Sequence, residues 1–131
     1  MNMDYRKSYI DEFRRPHTIG IDRNTGNVFR DEWTLDDMTE TARALVLGFI
    51  LGNIRKSTRI NYCWTSNDIR LLLIKNEPMG ISVSVTNNQV KDAMLQCGFD
   101  YDTNPVSEDW CFNVHDGDVR RIYEIKRNYG G

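Results

Sequence analysis

The sequence predicts an α+β fold: an N-terminal helix, a β-hairpin and a long buried helix, packed on a C-terminal α-β-α-β-α unit. Three observations carry this. Apolar residues recur at helical spacing, as in Leu35 to Arg55 and in Val90, Ala93, Met94 and Cys97. Ile81-Ser82-Val83-Ser84-Val85-Thr86 alternates with a period of two and is rich in β-branched residues. Capping and turn residues fall between these runs, with no internal repeat and no low-complexity segment.

Taken in order, residues 4–15 read as a first helix. Tyr5, Tyr9, Ile10 and Phe13 give its apolar spacing and Pro16 ends it. Thr18 to Asp22 and Asn27 to Arg30 flank Arg23-Asn24-Thr25-Gly26, which predicts a hairpin. Thr34 is a good N-cap, and Asp36, Asp37 and Glu40 suit the positive end of a helix dipole. That helix is expected over Leu35 to Arg55 as the central strut. Its second half, Ala44 to Gly52, is apolar all round and so is expected to be buried on most sides.

Residues 57–61 mark the boundary between an N-terminal part, 1–56, and a C-terminal part, 57–131, of one domain. Thr65 or Ser66 caps a helix from Asn67 to about Asn76, and Glu77-Pro78-Met79-Gly80 turns the chain into the Ile81 to Thr86 strand. Thr86, Asn87 or Asn88 caps the next helix, which Gly98 stops. Trp110 to Val114 forms a second strand. Asp116 caps a last helix with Val119, Ile122, Tyr123 and Ile125 inward.

Composition narrows the function. Three Trp, six Tyr and five Phe in 131 residues suffice for a hydrophobic core. A net charge of −2 gives no global attraction to nucleic acid or anionic membrane. The balance is uneven, however. Six acids lie between Asp100 and Asp118 with no Lys or Arg among them, and Arg120, Arg121, Lys126 and Arg127 follow. Cys63, Cys97 and Cys111 are odd in number and widely spaced, which reads as buried thiols in a reducing cytoplasm rather than a disulfide framework. The run Ala44 to Leu51 is far short of a membrane span, and the first seven residues lack the apolar core of a signal peptide. A soluble, cytoplasmic protein with no membrane partner is expected.

The block from Trp64 to Val114 holds several local signals in a fixed order: Thr65-Ser66, Val85-Thr86-Asn87, Ala93 with Gly98-Phe99, and Phe112-Asn113-Val114 before a basic last helix. Through them residues 57–125 resemble a family of small accessory proteins encoded by phages and conjugative elements of Gram-positive bacteria. Trp64 stands where that family has its first histidine, and Asp68 where it has a glycine. Residues 1–56 resemble nothing that can be placed. The resemblance implies a mobile-element context more than an activity.

No catalytic or cofactor motif is present: no Gly-x-Ser-x-Gly, no phosphate loop and no dinucleotide fingerprint. Cys111 and His115 lack the paired short spacings of a zinc site, so no metal and no cofactor are expected. The leading expectation is a non-enzymatic protein that binds a host macromolecule, most concretely an inhibitor of a defence nuclease of the anti-CRISPR type. Asp100, Asp102, Glu108, Asp109 and Trp110 would form its acidic contact rim. The alternative is a small DNA- or RNA-binding regulator using Asn87, Asn88, Gln89, Lys91, Arg120 and Arg121, residue types that read phosphates and base edges. A third reading is a homodimer built on the small-residue stripe Ala44, Gly48 and Gly52, which otherwise serves close intramolecular packing.

Overall fold

The structure, a computed structural model, describes residues 5–21, 24–104 and 107–130. Strands β1 (Tyr5–Ile10), β2 (Pro16–Ile21) and β3 (Val28–Asp31) form one antiparallel sheet in sequence order. Helix α1 (Glu40–Asn53) leads into β4 (Lys56–Thr65), α2 (Ser66–Leu73) and α3 (Asn87–Gln96). Strands β5 (Tyr101–Asn104) and β6 (Ser107–Val114) and helix α4 (Asp116–Gly130) complete the chain. The second sheet has the order β4-β6-β5 and is also antiparallel. The fold is α+β, as the sequence predicts.

The first helix is not formed. Residues 5–10 are β1, and Asp11 builds the turn into β2. Its carboxylate accepts from the Phe13 and Arg15 N–H groups at 2.8 and 3.0 Å, with Arg14 left-handed at φ 61°. Tyr9 stacks on its cross-strand partner His17, ring centroids 4.9 Å apart. Positions four apart share a face of a strand as well as of a helix, so the apolar spacing alone did not decide between them. The hairpin expected from Thr18 onward is formed by β2 and β3; Asp22 and Arg23 lie outside the described residues. There the Phe29 ring lies over Gly20, where an added Cβ would come within 2.1 Å of it.

The long helix is broken. Thr34 caps a single 3-10 turn, Leu35–Asp37, in a capping box with Asp37. Met38 is extended, and Thr39 caps α1 afresh. Only Val46, Phe49 and Ile50 of α1 are buried, while Leu45 and Leu51 are 47% and 62% exposed. The expectation of a helix enclosed on most sides is therefore corrected: α1 covers the core with one face and shows the other to solvent.

The boundary expected at residues 57–61 is the first half of β4, and it pairs with the central strand β6. Strand β5 was not anticipated either. Both are edge strands with polar or mixed sequences, so neither carries a clean alternation. Helices α2 and α3 start where their caps predict, at Thr65 with Asp68 and at Thr86 with Gln89, and Gly98 ends α3 at φ 85°. The cap of α4 is His115 rather than Asp116: the Asp118 N–H donates to His115 Nδ1 at 3.3 Å, and Asp116 is the first helical residue.

The core centres on Trp110, Phe112, Ile50, Leu72, Leu73 and Ile122, all inaccessible to solvent. Helix α3 crosses it buried on nearly every side, from Asn88 to Met94. Its apolar face meets the core. Its polar face is sealed by the N-terminal sheet and the segment after it. Each buried polar side chain there has partners. Asn88 Nδ2 donates to the Pro16 and Trp33 carbonyls at 2.8 Å each, and Gln89 Nε2 to the Thr34 carbonyl at 3.1 Å. Asp92 Oδ2 accepts from the Leu35 N–H at 2.8 Å and from Arg15 at 2.6 Å. Lys91 Nζ donates to Ser8 Oγ, Thr18 Oγ1 and the Glu108 carbonyl. Unpaired, these groups would each cost about 1–3 kcal/mol to bury, so this network pins the segment from Ser8 to Leu35 to the rest.

Candidate partner-binding surface

Strand β5 is exposed at every residue, and it carries Asp100's neighbours Tyr101 and Asp102 along the edge of the second sheet. Tyr101, 40% exposed, stacks on Trp110 with centroids 4.6 Å apart. From the far edge of the same sheet Tyr62 reaches across, and its hydroxyl donates to Asp102 Oδ2 at 2.7 Å. That bond, chiefly, raises the Tyr62 pKa. Tyr62 projects because β4 is irregular there: Asn61 pairs with Phe112 and Thr65 with Cys111, so residues 62–64 have no counterparts on β6. Tyr62 is 67% exposed as a result.

Between the two edges sits the half-buried Cys111. Its thiol is pushed up by burial first, and then by the carboxylates of Asp102, Asp109 and Asp68. Three acids from three elements thus bear on one point of the sheet. Asp68 and Tyr62 were missed by sequence reasoning. In the sequence Asp68 stands out only as a departure from the family's glycine; it also closes the start of α2, its carboxylate accepting from the Thr65 N–H at 2.8 Å. Tyr62 gave no signal without β4.

The predicted acidic rim is only partly a surface. Asp100 and Asp102 are exposed, and Glu108 is half-buried. Asp109 is half-buried and turned to the protein, its Oδ1 accepting from Asn87 Nδ2 at 2.6 Å and from Ser66 Oγ at 3.4 Å. Trp110 is fully buried and is the largest core side chain, so it makes no outside contact. The central position of β6 decides this: its inward residues Trp110, Phe112 and Val114 face helices, not solvent.

The predicted nucleic-acid set is taken apart. Asn88, Gln89 and Lys91 are buried, and Asn87 is engaged with Asp109, so the α3 N-terminus is sealed from any external phosphate. Burial pushes the Lys91 ammonium down to about 8. Arg120 and Arg121 are exposed on α4. Arg120 lies 5.7 Å over the Trp64 ring, which stacks on Tyr123 and donates through Nε1 to Asp116 at 2.7 Å. A shallow recess of about 220 Å³ lies beside this stack, with Arg127 on its wall.

The small-residue stripe is exposed at Ala44, Gly48 and Gly52, and an added Cβ at either glycine would meet nothing within 4 Å. The intramolecular packing expected of it is therefore absent. Among the described residues no group of three or more His, Cys, Asp or Glu is placed to hold a metal ion, and no helix is long and apolar enough to cross a membrane. No protein-family model, curated protein or solved structure matches the chain.

Proposed function

We propose that this chain is a non-enzymatic accessory protein of a phage or conjugative element, acting in the cytoplasm of the bacterial host by binding a host macromolecule. In its most concrete form it inhibits a defence nuclease, such as a CRISPR effector, by occupying a surface that otherwise holds nucleic acid. One observation carries the reading: the fully exposed β5 with Asp100 and Asp102, flanked by the exposed rings of Tyr101 and Tyr62. Carboxylates beside aromatic faces offer a cationic groove the two things a nucleic-acid strand offers it, negative charge and stacking surface. The context comes from the resemblance of residues 57–125 to mobile-element proteins.

The test is recovery of the tagged protein from a Gram-positive host at two salt concentrations, with and without nuclease treatment. A nuclease-resistant complex with a defence effector, lost when Asp100 and Asp102 are both replaced by lysine, supports the reading. An effector complex unaffected by those replacements, or no protein partner at all, sinks it.

A second reading, a small DNA- or RNA-binding regulator, rests on the Arg120–Trp64–Tyr123 stack and on Arg121, the next exposed residue of α4. It predicts binding to a nucleic acid that weakens steeply as salt rises. Loss of that binding in Arg120→Ala with Arg121→Ala would move the site to α4.

A further inference from the structure

The segment Ile81–Thr86 has the burial of a strand but no strand beside it. Ile81, Val83 and Val85 are buried, while Ser82 and Ser84 are exposed. In extended chain the N–H and C=O of one residue point to one edge and those of the next to the other. The odd residues spend their edge on the protein. Ile81 exchanges both backbone bonds with Asn76, at 2.8 and 3.0 Å. The Val83 N–H donates to the Leu73 carbonyl at 3.1 Å, and the Val85 carbonyl accepts from Arg70 Nε at 2.7 Å. The even residues, Ser82 and Ser84, present theirs to the opposite edge, and neither hydrogen-bonds to any other described residue.

That free edge borders an open groove of about 600 Å³. Its other wall is the solvent-facing side of α1 with Ala42 and Leu45, and Trp33, 56% exposed, closes it. Asp37, just before α1, lines this groove, and Glu40, the first residue of α1, lines an adjoining recess that shares Thr41 and Leu45 with it; no lysine, arginine or histidine lines either. An unpaired strand edge beside an apolar trough is the geometry in which an added strand is held by main-chain bonds, with alternate side chains in pockets.

We propose that the Ser82–Ser84 edge and the adjoining face of α1 form a docking groove for an extended peptide segment of a partner protein, one with apolar side chains and a lysine or arginine. The backbone edge selects an extended chain over a helix. The apolar wall takes the side chains on one face of that chain, and the acids at the α1 N-terminus select the cation. The same acids argue against a second copy as occupant, because two copies of this groove would set like charges against each other with no cation between them. The groove shares no residue with the acidic rim of β5 and stands independently of the function proposed for it.

The probe is a displayed library of random decapeptides, selected on the intact protein. Expected is enrichment of sequences alternating apolar and polar residues with a lysine or arginine. An enriched peptide should bind at least tenfold more weakly after N-methylation of the alternate amides that would pair with Ser82 and Ser84, a change that leaves the protein untouched. Leu45→Glu should weaken it similarly, and Glu40→Lys should shift selection from basic to acidic peptides. Ser84→Pro removes one of the edge donors and should also abolish binding. An absence of enrichment, or binding that survives both N-methylation and Leu45→Glu, overturns the assignment. So does a dimer of the protein itself that Ser84→Pro converts to monomer.

Discussion

Replacing Gly48 with alanine should stabilise the protein. Gly48 sits in the interior of the 14-residue α1, and a Cβ there meets nothing within 4 Å. No packing term opposes the change, so only the backbone terms remain: glycine loses more conformational freedom than alanine on entering a helix. That difference is about 0.8–1 kcal/mol at an interior position. For a chain of this length it corresponds to a rise in melting temperature of about 3–5 °C. Gly52, one residue from the helix end, should give less. Thermal unfolding by circular dichroism, with sedimentation at two protein concentrations, measures both stability and association. A loss of stability in Gly48→Ala without a change of mass would mean that another element packs closely on the stripe, contrary to the geometry above. A dimer in the parent that Gly48→Leu converts to folded monomer would establish the stripe as a seam between copies.

Three further outcomes follow from the interior. Trp110→Ala should cost about 3–5 kcal/mol in urea denaturation, the range for truncating a buried aromatic; a surface contact residue would cost almost nothing. Asp118 is held down to about 2, first by its side-chain bond to Arg55. Its unfolded value is higher, so its stabilisation is complete above about pH 4 and is lost as pH falls toward 2. The urea midpoints of the parent and Asp118→Asn should therefore converge over that window, and parallel curves would refute the pairing. Lys91 runs the other way. With a folded value of about 8 against an ordinary 10.5, the cost of burying its charge is fully present below pH 8 and is relieved as pH rises toward 10.5. Relative to Lys91→Met, the parent should gain stability across that interval; identical pH profiles would show the amine to be solvated.

Local signals determined a good deal of this protein. The capping boxes at Thr65 and Thr86, the stop at Gly98 and the turn around Gly26 are written in residues two to four apart, and they form as written because their chemistry closes within one turn. The α+β class and the inward residues Val90, Ala93 and Met94 of α3, Cys97 at its C-cap, and Val119 and Ile122 of α4 followed from periodicity. What failed was whatever depended on a distant partner. Residues 5–10 chose strand over helix through pairing with residues 16–21, and β4 and β5 exist because β6 lies between them. The polar face of α3 looked like an external reading surface. Its exposure was decided by the N-terminal sheet, which covers it and satisfies its donors from residues 55 to 83 positions away. The acidic rim divided for the same reason: alternation along β6 could not say which side helices would cover. Caps and turns close over a few residues and so are legible in sequence, whereas burial and sheet order are set by chain segments that meet only in the folded molecule.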